Sequence, residues 1–252
     1  MRKLGQHFLI NESVARREIE YAELKKDDTV LEVGPGKGIL TRLLAEKVRK
    51  VIAVEIDKRL ADYLRESLPE NVEVICEDIL KLDLSTLDFN KVVANLPFQI
   101  SSPFTFKLLD QDFEKAVIIY QKEFAKRMVA KPGSRDYSRL SVAIYYRADC
   151  EIKEIVPKRF FKPIPKVDAA IVEIIPREPK FHVEDEDFFF FLLSVLFSQR
   201  RKLVSKVVKS YFGIDLPEEF RRRVGEMRPE EIGRLSNYIF ERVGKKFCES
   251  IE

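Results

Sequence analysis

Cysteine and histidine are scarce in this chain. Its 252 residues include three cysteines, Cys76, Cys150 and Cys248, in no paired spacing, and two histidines, His7 and His182. That set supplies neither a disulfide framework nor a zinc site, so no metal is expected. Glutamine and asparagine number only five each beside abundant Lys, Arg and Glu, a bias typical of proteins from hot environments. Long apolar runs are also missing. The longest, residues 188–197, is interrupted by Ser194 and is too short to cross a bilayer. Residues 1–6 lead into no apolar stretch of the kind a secretory signal needs. Nor is there an excess of one charge: 45 Lys+Arg face 42 Asp+Glu, a net +3. A nucleic-acid surface would therefore have to come from local clustering. These absences leave a soluble, cytoplasmic protein without a membrane partner, expected to be monomeric. Its 45% hydrophobic residues can fill a sizeable core.

From residue 29 to residue 175 short apolar runs alternate with helical patterns. Residues 29–33, 51–54, 72–76, 91–94 and 116–120 read as strands. A helix through Thr41, Arg42, Leu43 and Leu44 follows the first, and Leu60, Tyr63 and Leu64 mark the helix after the second. Buried strands alternating with amphipathic helices predict a parallel sheet covered on both faces. Two further strands, 151–156 and 169–175, are joined by a proline-rich stretch with no room for a helix, so they should pair antiparallel at one edge. The fold class is α/β: a doubly wound, mostly parallel seven-stranded sheet. Residues 176–179 mark a boundary, giving a catalytic domain at 1–176 and a small all-α domain at 177–252. In the latter, 188–197 and 201–211 carry helical patterns. Pro217-Glu218-Glu219 and Pro229-Glu230-Glu231 each read as a helix start, proline first with acids in the first turn.

The segment Leu31-Glu32-Val33-Gly34-Pro35-Gly36-Lys37-Gly38 sits where the first strand turns into its helix. Glycines there let the backbone approach a ligand in the crevice beyond the strand ends. Glu55, followed by Ile56, ends the second strand, where a carboxylate can accept hydrogen bonds from both hydroxyls of a ribose. Asp78, followed by Ile79, ends the third, placed to take an adenine amine proton. Any one of these is as readily a tight turn or a solvated acid; together, on three successive strand ends, they point to a nucleoside cofactor. A nicotinamide dinucleotide calls for G-x-G-x-x-G, which brings a pyrophosphate to the helix N-terminus. The spacing here is G-x-G-x-G, which suits S-adenosylmethionine, a nucleoside with a sulfonium and an amino acid in place of phosphates.

Asn95-Leu96-Pro97-Phe98 ends the fourth strand and faces the same crevice. Proline fixes φ and removes a backbone donor, leaving the Leu96 carbonyl free to point into the site. An adenine amine needs acceptors held in place, and the Asn95 side-chain oxygen and the Leu96 carbonyl supply two. Phe98 offers a ring face for the base, an interaction of about 1–3 kcal/mol. In this scheme catalysis comes from positioning and from acceptors that stabilise developing positive charge, without a strong general base. The plainer alternative is a strand-ending turn with a proline and a core phenylalanine.

With these motifs in place, the chain resembles the small-subunit ribosomal RNA adenine N6-dimethyltransferases of the KsgA type, over nearly its whole length. Gly5-Gln6-His7-Phe8-Leu9 resembles the family's N-terminal cofactor-covering segment, which implies that Gln6, His7 and Leu9 contact the cofactor. The likeness continues through Glu32 to Gly38, Glu55-Ile56-Asp57, Glu77-Asp78 and Asn95 to Phe98. Phe161-Lys162-Pro163-Ile164-Pro165-Lys166-Val167 resembles a post-catalytic loop whose Phe, here Phe161, lies near the target base. Phe197-Ser198-Gln199-Arg200-Arg201-Lys202 is similar to a basic motif of the helical domain. The resemblance implies a Rossmann-like class I methyltransferase fold and S-adenosylmethionine as methyl donor. The implied partner is small-subunit ribosomal RNA in a pre-assembled small ribosomal subunit, dimethylated on two adjacent adenosines of the 3′-terminal hairpin loop. One departure is that the family usually has Tyr where this chain has Phe98.

Residues 188–214 hold Arg200, Arg201, Lys202, Lys206 and Lys209 and no acid. Read as a helix from 201, several share one side, which suits RNA phosphates and equally a solvated face. Other classes remain open: a non-catalytic nucleic-acid-binding, assembly or transcription factor on the same fold, or a large-subunit ribosomal RNA adenine methylase. The related large-subunit enzymes usually have Ile where this chain has Leu96. DNA adenine methylases more often carry a double-proline tetrapeptide.

Overall fold

The computed structural model describes residues 7–248, with side chains through Gly244. In chain order the regular elements of its first part are β1 (Phe8–Leu9), α1 (Glu12–Ala22), β2 (Thr29–Val33), α2 (Ile39–Ala45), β3 (Lys50–Glu55), α3 (Lys58–Ser67) and β4 (Val72–Cys76). Next come β5 (Lys91–Asn95), α4 (Ser101–Leu109), β6 (Lys115–Gln121), α5 (Lys122–Met128) and α6 (Arg139–Arg147). The last are β7 (Ala148–Val156), β8 (Phe161–Lys162), β9 (Ala169–Pro176), α7 (Glu186–Ser198), α8 (Val204–Phe212) and α9 (Pro229–Cys248). They form two compact units, one from the chain up to Lys126 with Asp149–Pro176, the other from Arg127–Ala148 with the chain from Arg177 on.

The first unit is built on a seven-stranded sheet in the order β4-β3-β2-β5-β6-β9-β7. β4, β3, β2, β5 and β6 run parallel, and β9 is antiparallel to β6. The central strands are those with unbroken apolar runs, because a parallel strand covered on both faces has no side to give to water. β7 and β9 are neighbours at one edge, joined by the short proline-rich connection. The chain winds outward from β2 to β3 and β4, then returns to β5 on the other side. The two crossovers separate at the carboxyl ends of β2 and β5, and a crevice opens there.

Helix α1 has Asn11 as its cap, whose side chain accepts from the Val14 N–H at 3.1 Å. Its inward face carries Val14, Ala15, Ile19 and Ala22, together with Glu18. At its far end the buried Lys91 ammonium bonds the Ala22 and Glu23 carbonyls at 3.3 and 2.7 Å and pairs with Asp28 at 3.1 Å. That clamp fixes the height of α1 on β5.

The second unit is all-helical, but it differs from the expected 177–252. Residues 127–148 pack with the later helices, because Tyr137, Val142 and Tyr146 are buried in one cluster with Phe188, Phe189 and Leu192. The Tyr137 hydroxyl donates to the Met227 carbonyl at 2.8 Å. Two helix expectations are corrected. Pro217 opens only a single 3-10 turn, Glu218–Phe220, and α8 starts at Val204 rather than at 201. Both follow from one pairing: Leu203 forms an antiparallel bridge with Arg223, with the Val204 N–H on the Arg222 carbonyl at 2.8 Å. Those residues stay extended to make it. The Phe188–Phe191 run belongs to the core of this unit, with Phe188 and Phe189 fully buried and Phe190 and Phe191 packed beside them.

Candidate active site

The ends of β2, β3, β4 and β5 open on one cleft of about 750 Å³, continuous with solvent. Gly34 and Gly36 come from the turn after β2, Glu55 and Ile56 from β3, Asp78 and Ile79 from β4. Asn95 and Pro97 come from β5, and His7 closes the cleft from the N-terminal side. An adjoining recess adds Leu9 and Glu32. Of the other expected residues, Gln6 lies outside the described residues. Gly38 opens α2 as its left-handed cap and lines neither space. Leu96 is buried, and neither it nor Phe98 nor Phe161 forms part of the cleft wall.

Two glycines are required by contact as well as by φ. Gly34, at φ +71°, would place a Cβ 3.2 Å from Pro97 Cδ, so the cofactor turn and the acceptor turn touch there. Gly36, at φ +58°, would drive a Cβ to 2.7 Å from the Phe8 ring, which lies over it. Glu55 is buried, and its two oxygens accept the Gly36 and Asp57 N–H groups at 3.1 and 3.0 Å. Burial raises its pKa, and those backbone donors oppose the rise. A carboxylate oriented in this way can hold a vicinal diol, while Ile56 and Ile79 offer apolar walls for a planar heterocycle. Asp78 is tied by its Oδ1 to the Leu80 N–H at 3.0 Å.

Two buried polar atoms of residues that line this site, Glu32 Oε2 and Asn95 Oδ1, make no hydrogen bond of ordinary geometry, nor does Thr41 Oγ1, whose hydroxyl nonetheless lies near enough to act on Glu32. Burial pushes the Glu32 carboxyl up to about 8, against the pull of the Thr41 hydroxyl and with a further push from Glu55. Buried polar atoms are rarely left unsatisfied, so each calls for an account.

The acceptor turn is held from behind. Pro97 leads into a 3-10 turn, Phe98–Ile100, and the Ser101 hydroxyl donates to the Phe98 carbonyl at 3.0 Å. Thr105 Oγ1 donates to the Ser101 carbonyl at 2.7 Å and lies 2.8 Å from the Tyr120 hydroxyl. Since the Thr105 proton is already used, Tyr120 is the donor in that pair. On the other side β1 and β8 form a two-residue antiparallel ladder, Phe8 opposite Lys162 and Leu9 opposite Phe161. The His7 Nδ1–H donates to the Pro163 carbonyl at 2.7 Å. The Phe98 ring lies between those of His7 and Phe161, at centroid distances of 5.7 and 6.5 Å. Phe161 is buried, because its ladder with Leu9 carries it into the core.

Sequence reasoning missed Phe8, Gln99 and Ile100, which line the cleft beside residues it did name. Adjacency in the chain was the available signal. The basic residues of the second unit separate into two kinds. Arg200 donates to the Ser134 and Arg135 carbonyls at 2.9 and 2.5 Å and so holds a loop. Arg201 and Lys202 are exposed ahead of α8 and Lys206 is exposed on it, so they do not share one helix face. Lys209 is paired with Asp215 at 2.7 Å.

Known proteins are similar to this chain. The pattern of the family described as ribosomal RNA adenine dimethylase matches residues 1–239. The probable ribosomal RNA small subunit methyltransferase A of Methanococcus maripaludis is 47% identical over 96% of this chain and 98% of its own. Its namesake in Pyrococcus furiosus is 45% identical over 94% and 91%. Among solved structures, a dimethyladenosine transferase from Plasmodium falciparum superposes with a TM-score of 0.77 at 29% identity, covering 95% of this chain and 98% of that one. The 23S ribosomal RNA methyltransferase ErmE gives 0.66 at 32% identity, over 94% and 99%. A class I methyltransferase sheet, glycine and acid strand ends, and an Asn-Leu-Pro-Phe turn facing them thus agree with a likeness running almost end to end: the chain belongs to the ribosomal RNA adenine dimethylase family.

Proposed function

We propose that this enzyme transfers methyl groups from S-adenosylmethionine to N6 of two adjacent adenosines in the 3′-terminal hairpin loop of small-subunit ribosomal RNA, acting on a pre-assembled subunit. The observation that carries the reading is Asn95 Oδ1, a buried acceptor without a partner on a side chain that lines the cleft, next to Pro97, which a Cβ on Gly34 would approach to 3.2 Å. An amine is the group such an oxygen lacks. The full-length relatives named as small-subunit methyltransferases supply the choice of RNA.

When bound, S-adenosylmethionine supplies an electrophilic methyl on a sulfonium. The residues here fit that group. Glu55 would take the ribose hydroxyls, Ile56 and Ile79 would enclose the adenine, and Asp78 would accept a hydrogen bond from its amine. Glu32 and the segment from His7 to Leu9 surround the amino-acid end. Asn95 Oδ1 and the Leu96 carbonyl accept the two N–H bonds of the target amine, so that its lone pair faces the crevice. As the nitrogen takes the methyl and becomes cationic, both acceptors gain strength in place, without reorganisation, and the excess proton then leaves to water. Phe98 stacks on the base, backed by Phe161. A hairpin-loop adenosine is cheap to unstack, which favours its entry.

The likeness to ErmE supports a second reading, methylation of large-subunit RNA. Radiolabelled transfer to unmethylated small subunits, large subunits and DNA, followed by nuclease mapping, separates the two. Label in the small-subunit hairpin is expected, and label only on large subunits or DNA would overturn the assignment. Asn95→Ala should abolish transfer while cofactor affinity stays within about threefold; an active variant removes Asn95 from the mechanism.

A further inference from the structure

Behind the cleft lies a polar group that this chemistry does not use. Glu18 is fully buried on α1; its carboxyl oxygens make no hydrogen bond of ordinary geometry, yet the Asn95 amide lies close enough to act on the group. On β5 the alternating residues Lys91, Val93 and Asn95 face α1, and on β2 so do Val30 and Glu32. Val30 and Val93 share a core cluster with Val14, Ala15 and Ile19 of that helix. The Lys91 clamp sets Ala22 at the foot of β5, so Glu18 stands one turn nearer the strand ends. Helical side chains lean toward the helix N-terminus, which aims this one further toward Glu32 and Asn95.

These two are the groups that act on it. Burial, then the Glu32 charge, raises the Glu18 pKa well above the ordinary carboxyl range, and the Asn95 amide opposes the rise. Around them the packing of α1, α2, β5, β6 and β9 is apolar, with Leu44, Val117, Ile119 and Ile171 in the same cluster. Burial in apolar packing beside a second acid favours the protonated form of Glu18.

An asparagine amide can turn over with almost no change of shape. Turned one way Asn95 offers an acceptor to the target amine; turned the other, it sets a donor against a donor. Something behind the amide must choose. We infer that Glu18 is a positioning residue for methyl transfer, whose carboxyl oxygen takes an Asn95 N–H and so keeps Asn95 Oδ1 turned to the acceptor base. Glu32, whose charge acts on Glu18, has an unpartnered Oε2 that a protonated Glu18 hydroxyl could bond. The bond to Asn95 tightens when the amine engages, as catalytic hydrogen bonds do. The inference rests on the reading of Asn95 as the amine acceptor.

Three variants test it: Glu18→Leu, Glu18→Ala and Glu18→Gln, assayed for kcat and KM on unmethylated small subunits and for S-adenosylmethionine binding by calorimetry. Leu and Ala should lose kcat at least tenfold, with cofactor affinity within about twofold of the parent and a cooperative melt. Gln keeps a carbonyl for the Asn95 N–H and a donor for Glu32, and should restore kcat to within about threefold. The inference is overturned if the folded Leu or Ala variant keeps the parental kcat, if Gln is as impaired as they are, or if their loss lies in cofactor affinity. Failure of the Asn95 reading looks different: Asn95→Ala is then active whatever the Glu18 series does.

Discussion

Glu32 and Glu18 are buried acids whose protonation is tied to folding. The folded Glu32 value is about 8 against an ordinary 4.5, and Glu18 shifts the same way. A carboxyl raised in the folded state favours folding fully below its unfolded pKa, and that contribution is lost as pH rises toward the folded value. The free enzyme should therefore lose thermal stability from about pH 5 to about pH 8. Glu32→Gln should flatten that fall, since its amide stays neutral across the window. Melting curves at unit pH intervals check this, and a midpoint that climbs over the same range would contradict it. Neither shift was legible from sequence: Glu32 and Glu18 look like any of the chain's abundant acids until the fold buries them.

At the scale of elements, the series of bonds from Tyr120 on β6 through Thr105 and Ser101 on α4 to the Phe98 carbonyl ties the acceptor turn to the sheet. Tyr120→Phe removes one buried hydrogen bond, worth about 1 kcal/mol. It should raise KM for RNA or lower kcat several-fold, while S-adenosylmethionine binding stays within about twofold. Steady-state kinetics beside calorimetry separate the two, and unchanged kinetics would make the series purely structural. The strands that hold the site were plain in the sequence because central parallel strands are unbroken apolar runs, and their glycine and acid ends follow at once. Helix α1 was not. Its apolar anchors are scattered among charged residues and its buried face includes Glu18, so its place shows only in the fold, through buried Val14, Ala15, Ile19 and Ala22, the Lys91 clamp and the Asn11 cap. The start of α8 and the Pro217 turn escaped for a similar reason. The Leu203–Arg223 bridge joins residues far apart in the chain, and local helix propensity carries no sign of it.

Over the whole molecule, a net charge of +3 leaves RNA affinity to local surface. Among the expected RNA-binding residues, Arg201, Lys202 and Lys206 are exposed, whereas Arg200 supports the loop at Ser134 and Arg135. Reversing Arg201, Lys202 and Lys206 to Glu should weaken RNA binding and reduce the salt dependence of log K by about 1 for each phosphate no longer engaged. Filter binding at several salt concentrations measures this; an unchanged slope returns the three to solvent. Arg200→Glu would instead lower stability, through the carbonyls it releases. No helix among the described residues is long and apolar enough to cross a membrane.

The β1–β8 ladder has only two rungs, yet it lays Phe8 across Gly36 and His7 against Phe98. That roof is also fastened by the Ile10 N–H on the Phe160 carbonyl at 2.9 Å and by the burial of Leu9 and Phe161 in the core of the main sheet. The cover of the cofactor turn and the flank of the acceptor turn are thus one piece of chain, so a change that loosens either is felt by both.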